Sequence, residues 1–290
     1  MKIVVTGALG QLGTEIMKLA RSSSHEFVFT DVGESPYVTY MDITDPASVD
    51  AVVGDDADVI INCAAYTDTA RAEKDPQAAL RLNADAVGVL SGAALKADAL
   101  LMHISTDYVF DGTASEPYAE DAEVHPVSVY GLTKAEGERI IAGSGCRHMI
   151  FRTSWLYSGT GRNFVRTMIE KTASLPEVRV VADQTGCPTY AGDLAAFLMY
   201  ILDNDMTHLT GLYHYSNEGS CSWYEFACGI CALSGNDCHV SPCRSAEFPS
   251  PVRRPAYSVL DKGKVRRTFG VEIPHWRESL EKFMTEYLNK

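Results

Sequence analysis

The sequence contains no long hydrophobic run. Apolar stretches such as 3–5 and 59–61 span only a few residues, whereas a membrane-spanning helix needs about 20. No basic-then-apolar leader stands at the start, because Met1 and the next four residues run directly into a glycine-rich turn. We therefore expect a protein of the cytoplasm, without a membrane partner.

Basic residues are scarce relative to acidic ones. Lysine and arginine number 25 against 38 aspartate and glutamate residues, which gives a formal net charge of −13. Such a balance argues against a nucleic-acid-binding surface and against attraction to an anionic membrane. A small anionic ligand is still compatible with this charge, because helix N-termini bind phosphate locally.

The eight cysteines show no disulfide framework. They are scattered along the chain, which predicts reduced thiols. Cys228 and Cys231 have CxxC spacing, but a structural zinc site needs a second close pair, and Cys238 and Cys243 do not form one. Three-residue spacing in an apolar helical stretch places both thiols on one packed face. We interpret the pair as core packing and predict no metal site.

Short β-branched runs alternate with longer helical patterns over the first 200 residues. The predicted strands are 3–6, 27–30, 59–63, 100–105, 148–153 and 178–182. The predicted helices are 11–20, 46–53, 77–96, 133–142, 163–172 and 191–202. Apolar strands that alternate with helices indicate a parallel sheet covered on both faces. The expected fold is α/β, with a Rossmann-type doubly wound parallel sheet.

The composition changes near residue 205. Gly, Ser, Cys, Pro and Asn become denser, the clear helical patterns are 223–233 and 276–288, and 241–254 resembles a loop. We predict that 1–155 is the dinucleotide-binding domain, which also receives parts of 156–205. The remainder, 156–290, is expected to form mainly a smaller C-terminal α/β lobe that binds the substrate.

A glycine-rich turn follows the first strand and opens the first helix. It contains Gly7, Gly10 and Gly13, with Gln11 and Leu12 between them. Glycines at this spacing allow a tight turn, close approach of the backbone to a pyrophosphate, and close packing of helix on strand. The position after a strand and before an amphipathic helix predicts a dinucleotide site.

Further residues are candidates for the rest of the dinucleotide. Asp31 ends the second strand 18 residues after Gly13, where a carboxylate can bind both ribose hydroxyls, and no Arg or Lys occurs in 31–40. This favours NADH over NADPH. Asp42 and Ile43 are candidates for the adenine, although Asp42 could equally cap the helix that begins near Pro46. Small residues at the third strand end suit backbone that passes under a dinucleotide. This segment comprises Ala64, Ala65, Tyr66 and Thr67.

Three residues predict the chemistry. Thr106 ends the fourth strand, at the sheet edge where open α/β folds bind ligands. Tyr130 and Lys134 are four residues apart at the start of a helix, which places them on one face. A phenol has a pKa of about 10, and a neighbouring ammonium lowers that pKa, which makes the phenol an effective acid–base group.

These motifs together resemble the extended short-chain dehydrogenase/reductase superfamily and, within it, the dTDP-4-dehydrorhamnose reductase family. The similar segments cover nearly the whole chain; they are 7–13, 62–67, 105–110, 130–134, 151–157, 161–164, 183–189 and 253–255. The Arg-Thr-Ser-Trp stretch at 152–155 and the Asp-Gln-Thr-Gly-Cys-Pro-Thr stretch at 183–189 separate this family from sugar-nucleotide epimerases and dehydratases.

The resemblance implies an NAD(P)H-dependent reduction of the C4 ketone of dTDP-4-dehydro-β-L-rhamnose to dTDP-β-L-rhamnose. Tyr130 would then protonate the C4 oxygen and Thr106 would bind the carbonyl. Lys134 would lower the pKa of Tyr130 and bind the nicotinamide ribose. Further substrate contacts are implied at Asp107 and Trp155, for the sugar, and at Asn163 and Arg253, for the nucleotide. Some relatives dimerise, so a homodimer is also suggested.

One departure from the family pattern keeps alternatives open. Residues 69–73 read Thr-Ala-Arg-Ala-Glu where the family commonly has Val-Asp-Lys-Ala-Glu. The first alternative is a reductase or epimerase of another nucleotide 4-ketosugar. The second is a non-catalytic subunit similar to the regulatory subunit of methionine adenosyltransferase. The intact trio of Thr106, Tyr130 and Lys134 favours catalysis.

Overall fold

The computed structural model describes residues 1–248 and 250–288. Its strands are β1 (Lys2–Thr6), β2 (Glu26–Asp31), β3 (Thr39–Tyr40), β4 (Val59–Asn62), β5 (Leu100–Thr106), β6 (His148–Thr153), β7 (Leu156–Tyr157), β8 (Glu177–Val181), β9 (Thr185–Gly186), β10 (Thr189–Tyr190), β11 (Gly211–His214), β12 (Cys221–Ser222) and β13 (His239–Cys243).

The helices alternate with these strands. They are α1 (Gln11–Ala20), α2 (Pro46–Val53), α3 (Thr69–Lys74), α4 (Pro76–Leu80), α5 (Ala86–Lys96), α6 (Val129–Ser144), α7 (Phe164–Ser174), α8 (Ala191–Asp203), α9 (Trp223–Ser234), α10 (Gly263–Phe269) and α11 (Trp276–Leu288). None of the helices in the described part of the chain combines the length and the apolar character that crossing a bilayer requires.

The central sheet has seven strands, in the spatial order β11-β6-β5-β4-β1-β2-β3. Each strand is parallel to its neighbours. The chain order reverses between β1 and β4, and a ligand crevice forms at the carboxyl ends of the strands beside such a reversal. The predicted Rossmann-type doubly wound fold is confirmed.

Apolar clusters cover both faces of the sheet. One contains Ile16 of α1 and Leu198 of α8, and the other contains Val49 of α2 and Leu90 of α5. Because both faces are covered, the strands are apolar throughout, and this pattern made the sheet predictable from the sequence.

The smaller lobe has its own core. Helices α7, α9 and α11 pack around Val165, Phe226, Trp276 and Phe283. Three two-stranded pairings complete it: β7 with β10, β8 with β13, and β9 with β12. The predicted α/β lobe beside the Rossmann sheet is thus present.

Several details of this region differ from the sequence interpretation. Strand β11 lies beyond residue 205, yet it forms an edge of the central sheet. The segment predicted as strand 178–182 corresponds to β8, which pairs with β13 instead of joining that sheet. Residues 241–243 of the predicted loop belong to β13, and α10 was not predicted. Short runs of this kind indicate a strand but do not specify its partner.

The predicted helix 77–96 is interrupted. Between α4 and α5 the chain forms a π-helical turn over Arg81–Asp85. Turns of this kind occur frequently at functional sites, and this one contains the buried Asn83.

The first turn of the fold depends on Gly13. A Cβ at this position would collide with the carbonyl oxygen of Gly7 and with Cα of Ala8. The close contact lets α1 start directly against the end of β1, as the glycine pattern predicted.

We expect Gly13→Ala to lower the free energy of unfolding by about 1–3 kcal/mol, because the collision is with backbone that must shift. Urea titration followed by circular dichroism measures the change. The matched control is Gly143→Ala in α6, where a Cβ meets no atom within 4 Å and a gain of about 0.5–1 kcal/mol is expected. Equal stability of the Gly13→Ala protein and the wild type would contradict the packing argument.

Candidate active site

The glycine-rich turn presents a backbone cradle. Gly7 has φ of 62°, and a Cβ there would lie 2.7 Å from the Ala64 nitrogen. Gly10 precedes α1, and no described side chain caps that helix. The N–H groups of its first turn are therefore free to receive an anion such as a pyrophosphate.

Asp31 closes the same turn from the end of β2. Its Oδ2 accepts the N–H of Leu9 and its Oδ1 accepts the N–H of Gly33, each at 3.0 Å. Each carboxylate oxygen has a second lone pair. The aspartate therefore holds the loop and can still accept hydrogen bonds from ribose hydroxyls.

The two adenine candidates have other roles in the structure. Asp42 Oδ1 accepts the N–H and the hydroxyl of Thr44, at 2.9 and 2.8 Å. The cap of α2 is Asp45, whose Oδ1 accepts the N–H of Ala47 at 3.0 Å, so the alternative that Asp42 caps this helix is wrong. Ile43 is only 4% exposed and belongs to the core, which leaves little surface for a ring. Contact of this pair with adenine stays a prediction.

Asn83 links the predicted cofactor segment to α6. Its Oδ1 accepts the N–H of Tyr66 at 2.8 Å, and its Nδ2 donates to the Tyr66 carbonyl at 3.1 Å and to the Thr133 hydroxyl at 3.0 Å. Ala64, Ala65 and Thr67 lie in the same segment, between β4 and α3. The helical pattern of 77–96 gave no sign of this role, because a π-helical turn has no distinct sequence signature.

The start of α6 is fixed from three sides. Ser128 Oγ accepts the N–H of Gly131 at 3.1 Å, and Glu73 Oε1 accepts the N–H of Val129 at 2.9 Å. A Cβ on Gly131 would collide with the carbonyl oxygen of Tyr108. Tyr130 is therefore held by its neighbours in the chain. Glu73 belongs to the segment that departs from the family pattern, and it is one of the two positions, with Ala72, at which the segment and the pattern agree.

The structure brings Thr106 and Tyr130 together at the end of β5. Burial raises the pKa of Tyr130, the nearby Thr106 hydroxyl lowers it in part, and the charges of Asp107 and Tyr108 raise it again. The net effect is a pKa above the ordinary value. Tyr130 therefore keeps its proton at neutral pH, which is the form that protonates a ketone.

Lys134 lies one helical turn beyond Tyr130 and is 1% exposed. Its Nζ donates to the Ile104 carbonyl at 2.6 Å and lies 3.1 Å from His103 Nε2. Burial lowers the pKa of Lys134 to about 8, against the opposing effect of the Glu138 charge. The expected lowering of the Tyr130 pKa by Lys134 stays a prediction.

A buried ion pair joins the helix α6 to the strand β6. Arg152 of β6 contacts Glu138 of α6, with Nη2 and Oε2 separated by 2.7 Å and Nε and Oε1 by 2.9 Å. The Ser105 hydroxyl donates to the same carboxylate. Both charges are desolvated and paired, so the interaction fixes α6 against the strand ends without adding net charge.

Asp107 presents an unused acceptor. Its Oδ1 accepts the Thr106 hydroxyl at 3.0 Å, whereas its Oδ2 is buried and has no hydrogen-bond partner among the described residues. Burial raises the pKa of Asp107 to about 6, with Ser258 and Thr106 acting against the rise. Buried polar atoms without a partner require an explanation, and a sugar hydroxyl would provide one.

Tyr108 follows Asp107 in the chain, and Arg254 lies near Tyr108. The Tyr108 ring lies edge-on to the Tyr130 ring, with 5.6 Å between centroids. Burial raises the pKa of Tyr108 to about 12, and the Arg254 charge opposes that rise. Arg254 therefore acts on the site itself. Arg253 was predicted as a nucleotide contact from the Arg-Arg-Pro motif at 253–255. Arg254 is the second arginine of that motif, and the sequence alone does not distinguish the two.

Trp155 is held in an unusual conformation. Its φ of 47° is positive, which is uncommon for a bulky residue and clusters at functional sites. Its ring stacks on Trp223 with 3.5 Å between centroids. On another side Gly186 comes so close that a Cβ there would collide with the indole. The remaining surface of Trp155 is partly exposed and is suited to covering a deoxysugar.

Asn163 and Arg253, the two candidates for the nucleotide, differ in their surroundings. Asn163 Oδ1 accepts the N–H of Arg166 at the start of α7, and its Nδ2 donates to Gln11 Oε1 at 3.0 Å and to the Ser158 carbonyl at 2.8 Å. This amide thus connects the lobe to the glycine-rich turn. Arg253 is exposed. Phosphate binding by either residue stays a prediction.

The cysteines are free thiols. Cys228 and Cys231 lie on α9, and Cys231 is buried. Over 1–248 and 250–288, no group of three or more His, Cys, Asp or Glu side chains is arranged to hold a metal ion.

Known proteins are similar to this chain in sequence and in structure. The family model described as the RmlD substrate binding domain matches residues 1–289. A dTDP-4-dehydrorhamnose reductase from Sinorhizobium fredii is 37% identical over 293 residues, covering 98% of this chain and 97% of the relative. A probable dTDP-4,6-dihydroxy-2-methyloxan-3-one 4-ketoreductase from Streptomyces antibioticus is 39% identical over 291 residues, covering 99% of this chain and 96% of the relative.

A solved structure shows the same fold. The crystal structure of dTDP-4-dehydrorhamnose reductase from Bacillus anthracis in complex with NADP superposes with a TM-score of 0.91 at 37% identity. The superposition covers 98% of this chain and 99% of that one.

The buried carboxyl of Asp107 leads to a pH-dependent prediction. Its pKa of about 6 lies above the ordinary 3.8, so the associated stability is fully present below pH 3.8 and is lost as the pH rises through 6. Relative to Asp107→Asn, which cannot ionise, we expect the wild-type Tm to fall by several degrees between pH 4.5 and 8, at about 2–4 °C per kcal/mol.

Differential scanning calorimetry at both pH values measures the shift. Asp55→Asn is the control, because the Asp55 side chain is 79% exposed and its replacement is expected to leave the difference unchanged. A constant Tm difference between wild type and Asp107→Asn across this range would show that burial does not perturb Asp107.

Proposed function

We propose, because the chain belongs to the dTDP-4-dehydrorhamnose reductase family, that it reduces the C4 ketone of dTDP-4-dehydro-β-L-rhamnose to dTDP-β-L-rhamnose. This would be the last step of dTDP-L-rhamnose synthesis. The chain is an NAD(P)H-dependent oxidoreductase. The observation that carries the proposal is the meeting of Thr106, a protonated Tyr130 and an unpartnered Asp107 oxygen at one strand end.

The residues at the sheet edge fit a dinucleotide. The uncapped start of α1 and the bare Gly7 would hold the pyrophosphate, and the remaining lone pairs of Asp31 would accept the ribose hydroxyls. When bound, the reduced nicotinamide supplies the hydride. Lys134, one helical turn beyond Tyr130 on α6, is the residue that the family resemblance implies for the nicotinamide ribose.

Tyr130 supplies the proton of the reaction. Its raised pKa keeps the hydroxyl protonated until a carbonyl oxygen that gains negative charge takes the proton. The Thr106 hydroxyl, close to the same phenol, donates its one hydrogen to Asp107 Oδ1 in the structure. On substrate binding it would turn to donate this hydrogen to the carbonyl oxygen and stabilise the developing charge. The phenolate that remains would be stabilised by a charged Lys134.

The other side chains would orient the sugar nucleotide. Oδ2 of Asp107 can accept a sugar hydroxyl, and Trp155 can cover the apolar methyl side of a 6-deoxysugar. A cleft of about 400 Å³ is lined by Phe248, Arg253 and Arg254. Arginine guanidinium groups suit a diphosphate through their forked donors, and an aromatic ring suits a base.

Two different dTDP-4-ketosugars are candidates for the substrate. The Streptomyces antibioticus relative, at 39% identity, is named as a ketoreductase of a different dTDP-4-ketosugar. Another 4-ketosugar is therefore the second candidate substrate. A non-catalytic regulatory role loses support, because Thr106 lies beside Tyr130 and the relatives from Sinorhizobium fredii and Streptomyces antibioticus are named as reductases. Operation in the cytoplasm and as a homodimer stays a prediction.

The direct test is oxidation of NADH with dTDP-4-dehydro-β-L-rhamnose, assayed beside its UDP and GDP analogues. We expect turnover with the dTDP-sugar. We expect Tyr130→Phe to keep cofactor binding and to lower kcat by about 10²–10⁴, because the general acid is missing. Cofactor binding is measured separately by the fluorescence of NADH.

Tyr200→Phe serves as the matched control. Its hydroxyl makes only a long hydrogen bond of 3.4 Å to the Phe269 carbonyl, away from the site, so near wild-type turnover is expected. Near wild-type turnover by Tyr130→Phe would instead remove Tyr130 from its role, and the lack of turnover with any of the nucleotide sugars would sink the reductase proposal.

A second prediction concerns the choice of cofactor. The Asp31 carboxylate would repel the 2′-phosphate of NADPH, so we expect a lower KM for NADH than for NADPH. Asp31→Asn removes the charge and is expected to reduce this preference about tenfold, as the loss of about 1.4 kcal/mol of repulsion would do. Side-by-side kinetics with both cofactors measure it, and a wild-type preference for NADPH would overturn the role of Asp31.

A further inference from the structure

Three ionisable side chains follow one another on the same face of α6. Tyr130, Lys134 and Glu138 are spaced four residues apart, and side chains at this spacing are neighbours on a helix surface. Lys134 is 1% exposed and Glu138 is 8% exposed. The proposed mechanism uses the phenol and the amine. The buried carboxylate one turn farther along has no role in it.

Glu138 connects α6 to two strands of the central sheet. Its Oε1 accepts the hydroxyl of Ser105 on β5, and both of its oxygens accept hydrogen bonds from the guanidinium of Arg152 on β6. Ser105 directly precedes Thr106 at the end of β5. The carboxylate therefore braces the helix that carries Tyr130 against the strand end that carries Thr106.

The charge of Glu138 also acts on Lys134. Burial lowers the pKa of Lys134 to about 8, and the Glu138 charge opposes this lowering. The amine is therefore mostly charged at pH 7. Arg152 pairs with the same carboxylate, so its positive charge offsets part of the effect of Glu138 on the amine.

Two histidine rings near this group carry no charge at neutral pH. The His103 ring of β5 lies 3.1 Å from Lys134 Nζ, and burial, with the Lys134 charge, keeps the pKa of His103 well below its ordinary value. The His214 ring of β11 lies 3.4 Å from Arg152 Nη1. Burial, with the Arg152 charge, lowers the pKa of His214 to about 3. The two rings therefore do not compete with Glu138.

Two other carboxylates face different partners. The Asp107 charge acts on the Tyr130 phenol. Oε1 of Glu120, in the segment between β5 and α6, accepts the backbone N–H of His214. Of the charges in the described part of the chain, Glu138 is the one that raises the pKa of Lys134.

We propose that Glu138 is a positioning residue for the reduction: braced against β5 and β6, it holds α6 at the strand end and, paired with Arg152, keeps Lys134 as an ammonium. The ammonium would hold the nicotinamide ribose and stabilise the phenolate of Tyr130. The inference rests on the proposed function for its effect on turnover. The charge of Lys134 is a property of the protein alone.

Two substitutions separate the charge of Glu138 from its bracing contacts. Glu138→Gln keeps a side-chain oxygen for the Ser105 hydroxyl but removes the negative charge and leaves Arg152 unpaired. Arg152→Gln removes the positive charge and leaves Glu138 unopposed. Both variants weaken the same brace, yet they change the charge near Lys134 in opposite directions.

The pH dependence of kcat/KM for NADH, with the dTDP-sugar as second substrate, reports ionisations of the free enzyme. The basic limb of wild type is expected at a pKa of about 8. We expect it to move down by about one pH unit in Glu138→Gln and up by about half a unit or more in Arg152→Gln. A brace without an electrostatic role predicts reduced activity in both variants and an unmoved limb. That result, or movement in the same direction, would overturn the proposal.

The titration of Lys134 can be followed without substrate or cofactor. Lysine-selective ¹³C spectra report each amine, and Lys134→Arg identifies the signal by its loss. We expect the Lys134 signal to titrate at lower pH in Glu138→Gln than in wild type, and at higher pH in Arg152→Gln. Equal titration in all three proteins would refute the role of Glu138 and leave the reductase assignment intact. Lack of turnover with every nucleotide sugar would instead remove the reductase assignment, while the spectra still decide whether Glu138 keeps Lys134 charged.

Each single variant leaves one buried charge without its partner, which is strongly destabilising. Should either fail to fold, the double variant Glu138→Gln/Arg152→Gln leaves neither charge unpaired. Because it lacks the carboxylate next to Lys134, we expect its Lys134 signal to titrate below that of wild type. An unchanged titration in the double variant would contradict the proposal.

Glu136 and Arg139 provide the matched controls on the same helix. Their Oε1 and Nη2 atoms lie 2.5 Å apart, but the two side chains are 37% and 73% exposed. Exposed charges are screened by water and salt. We therefore expect Glu136→Gln and Arg139→Gln to leave both the pH profile and the Lys134 titration as in wild type. Shifts in these controls as large as those of the buried pair would show that the effect does not come from Glu138.

Discussion

The site is organised by the need to bury an amine. Lys134 is almost completely removed from water, and a buried polar group without partners costs several kcal/mol. Its nitrogen is satisfied by the Ile104 carbonyl and the His103 ring, and His103 is satisfied in turn by Asn62. Strands β4 and β5 must therefore keep their register for the helix α6 to dock, which joins the geometry of the sheet to the chemistry at its edge.

Close backbone contacts also fix the positions of the segments that form the site. Gly7 against Ala64 and Gly131 against the Tyr108 carbonyl leave no room for a side chain. The Asn83 amide spans from Tyr66 to Thr133 and so ties the predicted cofactor loop to α6, the helix that carries Tyr130. Rigid support of this kind keeps a proton donor at a fixed distance from its target, which is the largest requirement of general acid catalysis.

The sequence was most informative where function depends on local spacing. The turn with Gly7 and Gly13, the acid Tyr130 and the strand-end Thr106 are recognised within short windows, and the apolar strands predict the parallel sheet. Asn83, Glu73 and Arg254 act across long separations in the chain, and no local pattern indicates which partner they meet. The same reason explains β8, whose short run indicates a strand without saying which sheet it joins. The four residues of β11 were not predicted as a strand.

The edge strand β11 has a consequence for synthesis of the chain. It pairs with β6, about 60 residues earlier, through the register of Gly211 with Met149. Until the ribosome has released this segment, β6 presents an open row of N–H and C=O groups, and such an edge readily pairs with another chain. A nascent or truncated chain that stops short of β11 therefore exposes a site for aggregation that the finished protein covers with its own backbone.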